Sequence, residues 1–160
     1  MRILMVCLGN ICRSPLAEGV LRHKAQQKGL NWHIESAGTG AWHVGQAPDP
    51  RSQKVALLHG IDISKQKAQQ FSPYHLETFD KIYAMDSSNY QDIIRHAKNE
   101  IEKNKVELLM NNSEPGKNKA VPDPYYDDNL YEVVYQMIDE ACEEIVRKGI
   151  EGIEVELEKD

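Results

Sequence analysis

The residues with the clearest chemistry lie near the N-terminus, in the run Cys7-Leu8-Gly9-Asn10-Ile11-Cys12-Arg13-Ser14-Pro15. A tight loop between a strand and a helix turns successive backbone N–H groups inward at the positive end of the helix, which makes a nest for anions. Gly9 and Asn10 tolerate the unusual backbone angles that such a loop needs. The nest favours the thiolate form of a cysteine at its base, because the N–H donors and the helix dipole stabilise the negative charge.

Arg13 and Ser14 extend this arrangement. The planar guanidinium of Arg13 closes the rim and offers paired N–H groups to two oxygens of an oxyanion, while the Ser14 hydroxyl donates to the thiolate. A single cysteine at a strand end is more often a small buried hydrophobic residue, and a zinc site would need further ligands at a recognised spacing. No Gly-Lys-Ser/Thr follows Gly9, so the segment is not a Walker loop. The combination of residue types therefore predicts a thiolate nucleophile inside a cradle for a tetrahedral oxyanion.

Alternating strands and helices position this segment. Short apolar runs predict strands over residues 2–7, 32–37, 81–85 and 105–110. Helical spacing and capping residues predict helices over residues 15–28, 53–59 and 86–98, with a final helix over residues 130–148 that ends before Gly149. Residues 111–128 form a loop that exceeds the usual connection length, which indicates either a functional segment or a loosely held one.

This alternation predicts an α/β fold: a single doubly wound domain with a central four-stranded parallel sheet flanked by helices on both faces. We expect the domain to span residues 1–150 and to be followed by an acidic tail at 151–160. Ligands of such sheets bind outside the carboxyl ends of the strands. Cys7 lies at the end of the first strand, where chemistry is expected.

Composition excludes several classes of function. The chain of 160 residues has 19 Lys/Arg against 25 Asp/Glu and a formal net charge of −6, which argues against a partner such as nucleic acid or an anionic membrane. No run approaches the roughly 20 apolar residues needed to cross a bilayer. Three cysteines without a secretory signal indicate free thiols and a cytoplasmic location. Residues 1–30 hold five Lys/Arg against one acidic residue, so the global charge does not exclude an anion site at Cys7.

Motifs along most of the chain strengthen this interpretation. The sequence resembles the low-molecular-weight protein tyrosine phosphatases from about residue 2 to residue 149, and the resemblance rests on V-C-L-G-N-I-C-R-S-P at 6–15, S-A-G-T at 36–39, W-H-V-G at 42–45, P-D-P-R at 48–51, M-D at 85–86 and D-P-Y-Y at 123–126. It implies a phosphoric monoester hydrolase that cleaves phosphotyrosine and small aryl phosphates through a cysteinyl-phosphate, with no metal and no cofactor. Cys7 would be the nucleophile and Arg13 the phosphate clamp, with substrate bound by Leu8, Gly9, Asn10, Ile11, Cys12 and Ser14.

Asp123 carries the second half of this chemistry. Expulsion of an aryloxide needs a proton donor, and Pro124 would fix the approach of the Asp123 side chain. The spacing alone is more typical of an Asp-Pro turn than of a catalytic acid. The resemblance assigns Asp123 as the general acid, which then acts as base for the water that hydrolyses the cysteinyl-phosphate, and an apolar pocket would favour its protonated form. Trp42, Tyr125 and Tyr126 are expected to stack against the phenyl ring of the substrate.

Three rival functions fit the same resemblance less well. A thioredoxin-coupled arsenate reductase needs further resolving cysteines, and none lies between Cys12 and Cys142. Related protein-arginine phosphatases carry Thr in place of Ile11 and lack the paired tyrosines. A non-catalytic reader of phosphotyrosine would need neither Cys7 nor Asp123. The expected partner is a phosphotyrosine-containing protein, and the resemblance to bacterial members suggests a tyrosine kinase.

Two positions leave alternatives open. Many relatives brace the loop asparagine with a histidine, and Gln66 occupies the nearest position here, from which an amide side chain can also bond to Asn10. Cys12 is either a packed thiol or, as the resemblance implies, the partner of Cys7 in a reversible disulfide that protects the nucleophile. None of the six histidines is expected to be catalytic.

Overall fold

Four parallel strands form the central sheet of the computed structural model, which describes residues 1–159. The strands are β1 (Arg2–Cys7), β2 (His33–Gly38), β3 (Lys81–Ala84) and β4 (Val106–Leu108), in the spatial order β2-β1-β3-β4. β1 is central and pairs with β2 on one side and β3 on the other, which places Cys7 opposite Gly38 at the carboxyl edge. The predicted parallel sheet is confirmed.

Across residues 1–159, six helices surround the sheet: α1 (Arg13–Gln27), α2 (Pro50–Leu58), α3 (Pro73–Thr78), α4 (Ser87–Ile94), α5 (Glu100–Asn104) and α6 (Tyr131–Glu158). Side chains of β1 alternate between two cores, since successive residues of a strand point to opposite faces. Ile3 and Met5 pack in a core with residues of α1, α2 and α6. Leu4 and Val6 pack in a second core with residues of α3 and α4. Helices therefore cover both faces, as predicted.

The predicted end of the last helix at Gly149 is wrong, because α6 continues to Glu158. Gly149 lies inside the helix, and a Cβ there would come within 2.4 Å of the Trp32 ring. The glycine thus provides space for the indole instead of ending the helix. The domain boundary at residue 150 and the acidic tail at 151–160 stay predictions. Asp160 lies outside the described residues.

The structure also corrects the length of several elements. α3 and α5 were not predicted, and the helix predicted over 86–98 ends at Ile94. Asp86 caps this helix as expected, since its side chain accepts a hydrogen bond from the Asn89 N–H at 2.8 Å. Within residues 1–159, no helix has the length and apolar character that a membrane span requires.

Candidate active site

The loop from β1 to α1 turns its carbonyl groups outward. Hydrogen bonds reach the Cys7, Leu8 and Ile11 oxygens from the backbone N–H groups of Thr39, Gly40 and Asp49, at 3.0, 2.9 and 2.8 Å. The Ser52 hydroxyl donates to the Cys12 oxygen at 3.2 Å. In a trans peptide group the C=O and N–H point in opposite directions. The N–H groups that follow these four carbonyls therefore face the other side of the loop, where their residues (Leu8, Gly9, Cys12 and Arg13) line a cavity.

Asn10 fixes the shape of this loop. Its φ of 58° is in the left-handed region, as expected for an asparagine in a tight loop. The side-chain amide donates to the Ser14 hydroxyl at 2.7 Å and to the Ser36 hydroxyl at 2.9 Å, and its oxygen accepts the Gln69 N–H at 3.0 Å. Both N–H groups of this buried side chain, and one of the two lone pairs of its oxygen, thus make hydrogen bonds. Through these bonds Asn10 holds the loop on the side away from the cavity.

Gly9 serves a different purpose from the one predicted. It is not among the residues with positive φ. A Cβ at Gly9 would lie 3.1 Å from the His43 ring, so the glycine allows the imidazole to pack against the loop. His43 also lines the cavity, and its Nδ1 pairs with the Gln46 side chain at 2.9 Å. His43 was not predicted to lie at the site, because its position depends on contact with a loop that is distant in the sequence.

Cys7 Sγ lies among hydrogen-bond donors. The Asn10 backbone N–H points at the sulfur from 3.3 Å, and the Ser14 hydroxyl is 2.9 Å away. Because Ser14 Oγ already accepts a hydrogen bond from Asn10, its own proton is free to be donated to Cys7. Both contacts stabilise a thiolate at this position.

The hydrogen bonds continue away from the sulfur. Ser36, held by Asn10, donates to Glu18 Oε1 at 2.9 Å, and Glu18 pairs with Arg22 at 2.9 Å. Burial raises the pKa of Glu18, and the charge of Arg22 opposes that shift. The loop is therefore connected through polar side chains to the body of α1.

Arg13 is fixed by groups that the sequence analysis did not assign to the site. Its side chain is only 4 % exposed, and Nη1 donates to Asp86 Oδ2 at 2.7 Å and to the Val121 oxygen at 3.0 Å. Asp86 uses its other oxygen as the cap of α4. An arginine held in this way presents its remaining N–H groups in a fixed direction, as recognition of an oxyanion requires.

Asp123 lies beside Arg13. Its Oδ2 is 3.9 Å from Arg13 Nη2, and its Oδ1 accepts the Tyr125 N–H at 3.1 Å. The side chain is 44 % exposed, and the Arg13 guanidinium faces the carboxylate on one side. The apolar surroundings predicted for Asp123 are therefore only partly present. The structure brings Cys7, Arg13 and Asp123 to one cavity of about 270 Å³.

Aromatic residues form the outer wall of this cavity. Tyr125 and Tyr126 meet edge to face with their ring centroids 5.0 Å apart, and Trp42 faces the same space. Trp42 is 70 % and Tyr126 91 % exposed, so large apolar surfaces are open to a ligand. The cavity is lined by Cys7, Leu8, Gly9, Ile11, Cys12, Arg13, Trp42, His43, Asp123, Tyr125 and Tyr126. Asn10 and Ser14 lie behind it and are not lining residues.

The structure answers the open question of Gln66, which does not bond to Asn10. The Gln66 amide donates to the Pro15 oxygen at 3.1 Å, and the Asn10 oxygen is held by the backbone of Gln69 instead. The group that holds the Asn10 side chain is therefore a backbone N–H and not a side chain of the neighbouring segment. A sequence pattern cannot predict such a contact, because every residue except proline carries a backbone N–H.

Cys12 is a free thiol, as are Cys7 and Cys142. Its sulfur lies 3.5 Å from the Tyr131 hydroxyl, and burial raises the pKa of the thiol to about 11. Among residues 1–159 no group of three or more His, Cys, Asp or Glu side chains is arranged to hold a metal ion. The reversible disulfide and the metal-free mechanism stay predictions.

Comparison with known proteins adds independent findings. Residues 2–159 match the model of a family described as low molecular weight phosphotyrosine protein phosphatase. A protein of that name from Schizosaccharomyces pombe is 44 % identical over 143 residues, which cover 86 % of this chain and 90 % of the relative.

Solved structures show the same architecture. A protein tyrosine phosphatase from Entamoeba histolytica, crystallised with Hepes in the active site, superposes with a TM-score of 0.88 at 35 % identity, covering 95 % of this chain and 98 % of that one. A Drosophila arginine phosphatase superposes with a TM-score of 0.86 at 31 % identity, covering 92 % of this chain and 97 % of that one.

Proposed function

The chain belongs to the low molecular weight phosphotyrosine protein phosphatase family, and from that premise we propose that it hydrolyses phosphotyrosine in proteins, and small aryl phosphates, through a cysteinyl-phosphate on Cys7. One observation carries the proposal. The Cys7 sulfur, the Arg13 guanidinium and the Asp123 carboxyl converge on one cavity whose outer wall is aromatic. A nucleophile, an anion clamp and an acid are the three groups that transfer of a phosphoryl group from a phenol requires.

In the first step the Cys7 thiolate attacks phosphorus. The sulfur–phosphorus bond forms as the bond to the aryl oxygen breaks, and protonated Asp123 gives its proton to the leaving oxygen, so that a phenol departs. Loop N–H groups and Arg13 stabilise the charge on the three remaining oxygens, because these donors are fixed before substrate arrives. Asp86 and Val121 maintain the orientation of Arg13 during this step.

In the second step water attacks the cysteinyl-phosphate. Asp123, now ionised, takes a proton from the water, and the sulfur–phosphorus bond breaks to release inorganic phosphate. The departing thiolate is stabilised by the Ser14 hydroxyl at 2.9 Å and the Asn10 N–H at 3.3 Å. The same two contacts assist both steps, since each passes through a state with negative charge on sulfur.

The cavity wall supports an aryl substrate. Trp42, Tyr125 and Tyr126 present ring faces and edges on which a phenyl ring can stack, and Ile11 adds an aliphatic surface. A phosphoserine side chain would leave this apolar wall without contact. We expect the physiological partner to be a phosphotyrosine-containing protein, with a tyrosine kinase as one candidate, and the three free thiols favour a cytoplasmic location.

Hydrolysis of an aryl phosphate between about pH 4 and 8 tests the proposal. Cys7→Ser should lose activity by at least about 10³-fold, and Asp123→Ala by about 10²-fold or more. Cys142→Ala is the matched control, because this cysteine is buried and does not line the cavity, and the variant should retain activity. Full turnover by Cys7→Ser would refute the mechanism, whereas full turnover by Asp123→Ala would refute only the acid role.

Two further substrates separate the rival functions. Arsenate supplied with a thioredoxin system should not be reduced, because the chain has no resolving cysteine between Cys12 and Cys142. Phosphoarginine should be hydrolysed more slowly than phosphotyrosine at equal concentration. A preference for phosphoarginine would overturn the assignment of the substrate while leaving the cysteine chemistry in place.

A further inference from the structure

Arg51 closes the Pro48-Asp49-Pro50-Arg51 motif, and the steps above give it no task. We propose that Arg51 is a positioning residue that holds the acid loop, defined as residues 121–128, so that the Asp123 carboxyl is aimed at the leaving group. The proposal rests on the general-acid role of Asp123 given above. Arg51 is not among the residues that line the cavity shared by Cys7, Arg13 and Asp123.

Arg51 binds the acid loop at two points. Nη1 donates to the Tyr125 backbone oxygen at 2.9 Å and to Asp128 Oδ1 at 2.6 Å. The guanidinium carbon also lies 5.3 Å from the centre of the Tyr125 ring and 5.0 Å from that of Tyr131, within the range of cation–π attraction. One side chain thus fixes both the backbone of the acid loop and an aromatic ring of the cavity wall.

The other half of the guanidinium is held by Asp49, the residue that precedes and caps α2. Nε and Nη2 donate to the two oxygens of Asp49 at 3.0 and 2.8 Å. These hydrogen bonds from Arg51 are the main cause that lowers the pKa of Asp49, so the pair stays ionised at neutral pH. The Asp49 backbone N–H in turn donates to the Ile11 oxygen at 2.8 Å. Asp49 and Arg51 therefore connect the nucleophile's loop to the acid loop through three consecutive contacts.

Tyr125 transmits this connection to the acid. Its N–H donates to Asp123 Oδ1, while its C=O accepts from Arg51. Within the described residues, the charged group paired with the Asp123 carboxyl is the Arg13 guanidinium, at the longer distance of 3.9 Å. The direction of the Asp123 side chain consequently depends on the placement of the Tyr125 backbone, which Arg51 determines. Loss of Arg51 would release the part of the acid loop that follows Asp123. Arg13 would stay in place, because Val121 is anchored separately by the hydrogen bond from its N–H to the Met85 oxygen at 2.8 Å and still accepts from Arg13.

The dependence of rate on the leaving group distinguishes this role from a general structural one. A dinitrophenolate leaves without a proton, whereas an unsubstituted phenolate needs one. A misplaced Asp123 should therefore slow phenyl phosphate and spare dinitrophenyl phosphate. A variant with a damaged fold or a damaged phosphate site would slow both substrates equally.

The experiment measures kcat/KM for a series of aryl phosphates with Arg51→Met, Arg51→Lys, Asp123→Asn and Arg147→Met. We expect Arg51→Met to lose about tenfold with phenyl phosphate and less than about twofold with dinitrophenyl phosphate. Arg51→Lys keeps the charge but not the fork, so its loss should be intermediate. Arg147 is exposed and, like Arg51, bonded to two carboxylates, but its partners Glu144 and Glu151 lie outside the acid loop, and Arg147→Met should match wild type.

The two proposals fail in different ways. If Asp123→Asn shows the leaving-group dependence and Arg51→Met does not, the positioning role of Arg51 is overturned and the acid role stands. If Asp123→Asn shows no such dependence, the acid role itself is overturned, and the role of Arg51 with it. Combining Arg51→Met with Asp123→Asn should add little to the loss in Asp123→Asn alone, because both changes remove one function, and full additivity would contradict the proposal. Unchanged inhibition by inorganic phosphate verifies that Arg51→Met is folded.

Discussion

Replacement of Asn10 by alanine removes the side chain on which the shape of the nucleophile's loop depends. The buried amide of Asn10 makes three hydrogen bonds, to Ser14, Ser36 and the Gln69 N–H. Alanine would lose all three and would still have to adopt a φ near 58°. We expect a large loss in the free energy of unfolding together with a loss of activity.

The magnitude follows from a matched position in the same chain. Asn118 also has positive φ, at 53°, but it is exposed, and its side-chain oxygen accepts a single hydrogen bond from Asn111. The left-handed conformation costs an alanine about 1–2 kcal/mol at either position, so this cost cancels in a comparison. Three buried hydrogen bonds at roughly 1 kcal/mol each leave Asn10→Ala about 2–3 kcal/mol less stable than Asn118→Ala.

Urea unfolding of wild type, Asn10→Ala and Asn118→Ala measures this difference, and aryl phosphate turnover provides the functional readout. Asn10→Ala should also lose at least about tenfold in kcat/KM, because Ser14 is no longer held beside Cys7. Asn118→Ala should retain wild-type turnover. Equal stability of the two variants, within about 0.5 kcal/mol, would refute the view that buried hydrogen bonds of Asn10 fix the loop.

Three further predictions concern separate parts of the molecule. Gly38→Ala should abolish aryl phosphate hydrolysis in a protein that still shows a cooperative urea transition, since the new Cβ would come within 2.8 Å of the Leu8 oxygen and push the loop backbone out of place. In Cys7→Ser, the rate at which iodoacetamide alkylates Cys12 should rise about tenfold per pH unit towards the pKa of this thiol, which burial raises to about 11. Peptide mass spectrometry measures the rate, and a plateau near neutral pH would contradict a pKa raised by burial. Burial lowers the pKa of His75 in the folded protein, so below about pH 6.5 the unfolded chain binds a proton at this histidine more readily than the folded protein does. The stability of the wild type should therefore decrease as the pH falls through this range, and that of His75→Gln should decrease less. Thermal unfolding at a series of pH values measures the difference.

The sequence predicts what is local in this molecule. The loop from Cys7 to Pro15 can be recognised in the sequence because its glycine, asparagine, arginine and serine lie within a few residues of the nucleophile. The strands can be predicted from short apolar runs, because each run is a pattern of neighbouring residues. Short helices such as α3 and α5, with six and five residues, escape prediction because they hold too few turns for a periodic pattern.

Contacts between distant residues could not be predicted from one sequence. The pairing of Arg13 with Asp86 spans 73 residues, and the pairing of Arg51 with the Tyr125 oxygen spans 74. Gly149 shows the same limit, because a glycine after Arg147 and Lys148 is typical of a helix end. The neighbouring Trp32 ring, which is distant in the sequence, explains why a glycine lies inside this helix. His43 likewise joins the cavity through its contact with Gly9.

Direct detection of the covalent intermediate tests the central claim. Wild-type protein turning over an aryl phosphate is quenched rapidly into denaturant at alkaline pH, and its peptides are analysed by mass spectrometry. We expect one phosphoryl group on the peptide that contains Cys7, formed in step with a burst of released phenol, and none in Cys7→Ala. A phosphoryl group on another residue, or undiminished turnover with no phosphorylated peptide, would contradict it.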